Sequence, residues 1–303
     1  MRQINELKNF SENISGKIIF EYDLKKTNWF NIGGIAKGFF KPENLKELVE
    51  FLKRFGDKEK IFILGAGSNI LVNDKFFDGI VVKLGKNFSN ISLLSNDTLV
   101  AGSATTDKKL AEFAAKNNIG GFEFLSCIPG SIGGGIRMNS GCFEKEFKDI
   151  IISVQAIDRL GQVLTIPATK IKFGYRQTDL NKDLIFLSAS FKGEIKENQK
   201  IKSYMENLIN KKKETQPTKI KTGGSTFKNP IDQTQEKVWE LIKKSVSLDT
   251  KFGDAEISKK HCNFFINKNN ANYEDMNELI KFVKKKVKLK TGIDLETEIE
   301  IIQ

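Results

Sequence analysis

The chain has a single histidine, three cysteines and no apolar run that nears membrane-spanning length, and each scarcity removes a class of chemistry. With His261 alone, a multi-histidine metal site is impossible, and a serine–histidine–aspartate triad would have to use that one residue. Cys127, Cys142 and Cys262 are odd in number and lack any CxxC spacing. That argues against both a disulfide framework and a zinc site, so no metal is expected. The polar start, Met1-Arg2-Gln3-Ile4-Asn5-Glu6, has none of the marks of a signal peptide, and no stretch reads as a membrane span. The expectation is a reduced, cytoplasmic protein.

At 303 residues, with 39% hydrophobic and 29% charged residues, the chain reads as globular, with room for two or three domains. The net charge of +11 favours anionic partners. The lysines are spread thinly, with short runs at Lys211-Lys212-Lys213 and Lys284-Lys285-Lys286, and no zinc-finger or RNA-recognition pattern accompanies them. Most of these residues read as a solvated surface; the remainder suits phosphorylated small molecules.

The densest signal is Ser126-Cys127-Ile128-Pro129-Gly130-Ser131-Ile132-Gly133-Gly134-Gly135-Ile136-Arg137-Met138-Asn139-Ser140-Gly141. Its glycines and proline make it a poor candidate for a regular helix or strand interior. They suit it to bring backbone N–H groups close to an anion, as in the amide nests that hold phosphates. Upstream, the apolar strand Ile61-Phe62-Ile63-Leu64 runs straight into Gly65-Ala66-Gly67-Ser68-Asn69. Two such cradles suggest a ligand with a diphosphate, a dinucleotide, held between two sub-domains. A Rossmann fingerprint is rejected: Ile70 stands where the third glycine belongs, and more strand follows instead of a helix.

In order, the pattern predicts an amphipathic helix over 3–14 (Ile4, Leu7, Ile14 on one face) and the aromatic segment Asn28–Gly34. A helix then opens at Pro42 with Leu45, Leu48, Val49 and Leu52 at helical spacing, followed by strands at 61–64, 70–72 and 79–82. From 87 to 195 short strands dominate (99–101, 151–157, 163–166, 185–191), with one helix at 108–117, as in a mainly antiparallel sheet. Helices at 201–213, 238–244 and 275–289 and a terminal strand over 295–302 complete the α+β reading. That strand places Glu296, Glu298 and Glu300 on one face.

Taken together, Ile63-Leu64-Gly65-Ala66-Gly67-Ser68-Asn69, Ile128-Pro129-Gly130-Ser131-Ile132-Gly133-Gly134, Met138-Asn139-Ser140-Gly141, Tyr175-Arg176 and Gly223-Gly224-Ser225-Thr226-Phe227-Lys228-Asn229-Pro230 resemble the UDP-N-acetylenolpyruvoylglucosamine reductase (MurB) family, in its order and spacing from about residue 27 onward. The chain is similar to the family's shorter form. The resemblance implies a two-part FAD-binding region of the vanillyl-alcohol-oxidase (PCMH) type, as sub-domains 1–85 and 86–198. A C-terminal α/β substrate-binding domain follows over 199–303. It also implies non-covalent FAD, with NADPH as reductant and UDP-N-acetylglucosamine enolpyruvate as the small-molecule substrate. The enzyme is expected to serve peptidoglycan synthesis as a monomer, without nucleic acid or membrane.

By the same resemblance, flavin N5 passes hydride to C3 of the enolpyruvyl ether, Arg176 stabilises the enolate, Ser225 protonates C2, and Glu298 acts beside Arg176. Cofactor contacts are implied for Gly65, Ala66, Gly67, Ser68, Asn69, Gly130, Ser131, Gly133, Gly134, Asn139 and Gly141. Substrate contacts are implied for Tyr175, Lys213, Asn229 and His261. Taken singly, Arg176 reads first as a sheet-edge cap, Ser225 as a turn residue and Glu298 as a solvated strand residue, and Lys213 reads equally as part of a basic run; it is their joint fall in matching motifs that favours the functional reading. Cys127, the Cys142-Phe143-Glu144 run and residues 243–254 depart from the family pattern. A flavin oxidase of the same fold is the alternative, and a basic nucleic-acid-binding module ranks third.

Overall fold

Apolar residues spaced three and four apart become the buried faces of helices. In the computed structural model, which describes residues 2–303, helix α1 (Arg2–Glu12) buries Leu7 and Phe10. The expected third member of that face, Ile14, lies beyond its end, and Phe10 takes its place. By compactness the chain falls into two units: one holds the chain through Tyr22, Ala36–Ala66 and Asp78–Asn210, the other Asp23–Ile35, Gly67–Phe77 and Lys211–Gln303.

In the first unit, β1 (Lys17–Asp23) and β2 (Ile35–Lys41) precede α2 (Leu45–Phe55). The sequence reading missed both strands, whose apolar residues run consecutively (Ile18-Ile19-Phe20, Phe39-Phe40) and so lack the period-2 signal. Helix α2 starts at Asn44, whose Oδ1 accepts the Glu47 N–H at 3.0 Å, and buries Leu48, Phe51, Leu52 and Phe55; Leu45, expected on that face, is exposed. Strand β3 (Ile61–Ile63) runs into the glycine turn, then come β4 (Ile70–Val72), which belongs to the second unit, and β5 (Phe77–Val82). The first sheet has the order β1-β2-β5-β3, with β3 parallel to β5.

Next come β6 (Ile91–Leu93), β7 (Thr98–Gly102), α3 (Asp107–Lys116), β8 (Ile119–Gly120), α4 (Ile132–Met138), β9 (Gly141–Cys142), β10 (Lys145–Glu146), β11 (Ile151–Ile157), β12 (Val163–Pro167), β13 (Phe173–Gly174), β14 (Gln177–Thr178), β15 (Ile185–Lys192), β16 (Glu194–Ile195) and α5 (Asn198–Thr215). The second sheet, β12-β11-β15-β7-β6, is antiparallel throughout, as expected. Its inward residues Leu99, Ala101, Val154, Ala189 and Phe191 share a core with Leu110, Ala111 and Ala114 of α3.

Helix α4 overturns one expectation, because three consecutive glycines form part of a regular, seven-residue helix. Tertiary contacts supply what propensity does not. Ile132 N donates to Thr105 O and Gly133 N to Ser103 O, both at 2.9 Å. A Cβ on Gly135 would strike the buried Phe147 ring, so close packing requires glycine there.

The second unit contains α6 (Val238–Ser245), the antiparallel β17-β18-β19 (Lys251–Phe252, Ala255–Ile257, Phe265–Asn267), α7 (Tyr273–Thr291) and β20 (Glu300–Ile302), which pairs in parallel with β4. Met276, Leu279, Ile280, Val283 and Val287 of α7 are buried, the face read from the sequence. They share a core with Phe30, Ile32, Leu71, Phe227 and Phe265. The expected strand over 295–302 is shorter, because Thr297 bridges to Phe227 and only Glu300–Ile302 continues onto β4. Among the described residues, no helix is long and apolar enough to cross a membrane.

Candidate active site

In the first unit Gly65 approaches the start of α4. A Cβ on Gly65 would lie 2.9 Å from Ser131 Oγ, so the turn after β3 passes close to the start of α4. Ser131 caps α4 without spending its hydroxyl on a capping bond, and it bridges to Thr106. Beneath this stretch, Asp107 N donates to Gly130 O at 3.3 Å. The Asp107 carboxyl is fully buried with no hydrogen-bond partner, and desolvation raises it well above the usual carboxylate range. Among the described residues, the backbone N–H groups of residues 65–69 make no main-chain hydrogen bond. Clustered N–H donors without protein acceptors, beside glycines that let a ligand approach, fit the diphosphate of FAD.

Arg176 occupies the two-residue loop between β13 and β14, with φ at +56°. Its Nη2 donates to Gly141 O at 3.0 Å, and its Nη1 lies 3.7 Å from Glu146 Oε1. The guanidinium also stands 4.9 Å from the centroid of the Tyr175 ring. Asn139 ends α4 in the left-handed conformation and is fully buried. Its Nδ2 donates to Glu146 Oε2 and Gly174 O, each at 3.0 Å, and its Oδ1 accepts Lys148 N at 3.0 Å. Both ends of that carboxamide are therefore engaged behind the glycine stretch.

In the second unit the strand-like segment around Ser225 is laced on both sides. Ser225 bridges to Phe264 and Phe227 to Thr297. Thr226 N donates to Asn263 O at 2.7 Å, and Glu298 N donates to Thr226 O at 2.8 Å. Asn263 mimics a further strand, accepting Phe227 N at 3.0 Å and donating to Phe227 O at 2.9 Å. Asn69 joins this array by donating from Nδ2 to Glu298 O at 3.1 Å. Glu296 is exposed and pairs with Lys228 at 2.7 Å on the neighbouring segment. Asn229 Oδ1 accepts Val238 N at 3.0 Å, at the start of α6. Lys213 sits exposed in the last turns of α5, its carbonyl bonded by Lys260 Nζ. His261 is half-buried against Phe264, and burial lowers its imidazole below the usual value.

The expected residues thus gather in two sets. Gly65, Ala66, Gly130, Ser131, Gly133, Gly134, Asn139, Gly141, Tyr175 and Arg176 belong to the first unit; Gly67, Ser68, Asn69, Lys213, Ser225, Asn229, His261 and Glu298 belong to the second. Sequence reasoning passed over Glu146, Asn263 and Lys228. Glu146 could have been found only by pairing β9 with β10 across a loop, Phe143-Glu144, that lacks the usual Asn-Gly signal.

Two family models match the chain. Residues 36–167 match the model of the FAD binding domain, and residues 216–302 match the model of the UDP-N-acetylenolpyruvoylglucosamine reductase C-terminal domain. The UDP-N-acetylenolpyruvoylglucosamine reductase of Pelagibacter ubique (strain HTCC1062) is 65% identical over 300 residues, covering 99% of each chain. That of Rickettsia typhi is 44% identical over 289 residues, covering 95% of this chain and 97% of its own. The crystal structure of UDP-N-acetylenolpyruvylglucosamine reductase (MurB) from Thermus caldophilus is similar with a TM-score of 0.82 at 27% identity, over 96% of this chain and 100% of that one. The chain belongs to the UDP-N-acetylenolpyruvoylglucosamine reductase (MurB) family of FAD-dependent oxidoreductases.

Proposed function

We propose that the chain reduces the enolpyruvyl group of UDP-N-acetylglucosamine enolpyruvate to UDP-N-acetylmuramate with NADPH as reductant, a step in making peptidoglycan precursors. The shared name of its relatives supports this reading. The observation that carries it is the set of acceptor-less N–H groups over 65–69, with Gly65 packed on Ser131. Residues 1–85 and 86–198 serve as the two FAD-binding sub-domains and 199–303 as the substrate-binding domain.

The residues that would hold FAD non-covalently are Gly65, Ala66, Gly67, Ser68, Asn69, Gly130, Ser131, Gly133, Gly134, Asn139 and Gly141. The chemistry that bound FAD supplies is hydride transfer, from NADPH to the flavin N5 and from N5 to C3 of the enolpyruvyl ether. The protein's share is to orient the substrate and manage the charge and proton that this transfer leaves over. Negative charge develops at C2 and across the substrate carboxylate. Arg176 neutralises it, since a guanidinium stays protonated and matches carboxylate geometry. Ser225 gives its hydroxyl proton to C2; an alcohol is a weak acid, but a carbanion-like carbon is a very strong base. Glu298, whose N–H is bonded to the residue after Ser225, is the third catalytic residue. Tyr175, Asn229, Lys213 and His261 bind the substrate, with Lys213 offering charge to its phosphates and His261, held neutral by burial, offering a hydrogen bond. No nucleic acid takes part, and a single copy of the chain suffices.

The test is an anaerobic visible spectrum of the purified protein. Yellow colour that bleaches with NADPH and returns on adding UDP-N-acetylglucosamine enolpyruvate is expected. A flavin that bleaches but ignores that substrate would overturn the assignment.

A further inference from the structure

The charged side chain facing Arg176 in the first unit has no part in the reaction as described above. Arg176 and Glu146 are each 18% exposed at the side chain, and Nη1 and Oε1 stand 3.7 Å apart. That separation is an ion pair, too long for a hydrogen bond. The other carboxylate oxygen, Oε2, is held by Asn139 Nδ2 at 3.0 Å and Lys148 Nζ at 2.8 Å. Glu146 is therefore itself fixed before it acts on anything else.

The geometry behind this pair is specific. Gly141 and Glu146 are cross-strand partners in the β9–β10 hairpin, and both anchor the guanidinium, one through its carbonyl and one through its carboxylate. The hairpin turns through Phe143 and Glu144, both left-handed at φ +51° and +65°, a conformation that non-glycine residues rarely adopt. A Cβ on Gly141 would sit 2.7 Å from Glu146 Cγ, so the small residue lets the glutamate fold over its partner. Asn139, at the end of α4, ties this hairpin to Gly174, beside the loop that carries Arg176. One connected set of bonds thus holds the guanidinium on the side of the hairpin.

We propose that Glu146 is a positioning residue for Arg176, orienting its guanidinium for the carboxylate of the enolpyruvyl group; this rests on the role of Arg176 given above. Arginine aids the reaction through charge that develops in the transition state, so misplacing it slows the chemical step more than it weakens ground-state binding. Removing the negative charge of Glu146 also leaves the pocket more attractive to an anion. The expected signature is a lower kcat with KM unchanged or reduced.

The experiment uses stopped-flow flavin absorbance on the FAD-loaded protein and its Glu146→Gln, Glu146→Asp and Arg176→Lys variants, with melting temperature and FAD affinity measured alongside. Glu146→Gln is expected to slow reoxidation of the reduced flavin by UDP-N-acetylglucosamine enolpyruvate about 10- to 100-fold. Reduction by NADPH, FAD affinity and melting temperature should stay near the parent's. Glu146→Asp, which keeps the charge, should recover part of the rate, and Glu146→Gln should add little in the Arg176→Lys background. Parent-like reoxidation in Glu146→Gln, equal slowing of both half-reactions, or additive losses in the double variant would overturn the proposal. If Arg176→Lys itself reoxidises at the parent rate, the role of Arg176 fails with it. A slow Arg176→Lys beside a parent-like Glu146→Gln refutes the positioning role alone.

Discussion

Replacing Asn139 should destabilise the protein far more than its position near a ligand cradle suggests, because its carboxamide serves the fold. Its Nδ2 donates to a main-chain carbonyl and to a carboxylate, and its Oδ1 accepts a main-chain N–H, all at 3.0 Å, and Asn139 itself is fully buried. Two neutral bonds at about 1 kcal/mol each and one to a charged acceptor at about 2 kcal/mol give a loss near 4 kcal/mol. Asn139→Gly isolates that loss, since glycine accepts the φ of +41° found there. Asn139→Ala should cost about 1 kcal/mol more, the penalty for a left-handed backbone with a Cβ. Urea unfolding followed by circular dichroism, at a fixed excess of FAD, reads both values. Losses under about 1 kcal/mol in both variants, against the roughly 4 kcal/mol of bonds summed above, would refute the account of this side chain as a structural hub.

Other expectations follow from burial and backbone geometry. Asp107 keeps in the folded protein a proton that the unfolded chain gives up, so its stability is whole below about pH 4 and is lost as pH rises. Asp107→Asn should remove that loss, and melting curves with the same pH slope in parent and variant would contradict this. Burial lowers the His261 pKa, so stability is whole above about pH 6.5 and falls on acidification through that value. His261→Gln should flatten the decline between about pH 7.5 and 5, as read by thermal melts. Glu144 is exposed and left-handed at φ +65°; Glu144→Gly should raise stability by about 1 kcal/mol in urea, and a loss would argue against the strained turn.

Some elements were readable from the sequence because a single local rule determined them. The buried face of α7 follows its apolar spacing, and the refusal of a Rossmann turn at Ile70 is met by β4 in place of a helix. Helix α4 was not readable, since Gly133-Gly134-Gly135 argues against a helix and only the Phe147 ring and the carbonyls of Ser103 and Thr105 impose it. Strands β1 and β2 escaped because their buried residues do not alternate. At the candidate site, the motif marks Gly65, Ser131, Arg176, Ser225 and Glu298 but does not say which side chains face inward. The motif includes Asn139 but does not reveal the three protein partners of its carboxamide. Glu146 went unread because its partner is 30 residues away in sequence, across a hairpin without a turn signature.

In the proposed reaction Ser225 delivers the proton that completes reduction of the enolpyruvyl group. Single-turnover kinetics of Ser225→Ala, followed at the flavin absorbance, test it most directly. Reduction by NADPH is expected at nearly the parent rate, with reoxidation by UDP-N-acetylglucosamine enolpyruvate slowed roughly 10²–10⁴-fold. Equal losses in both half-reactions, or reoxidation at the parent rate, would contradict it.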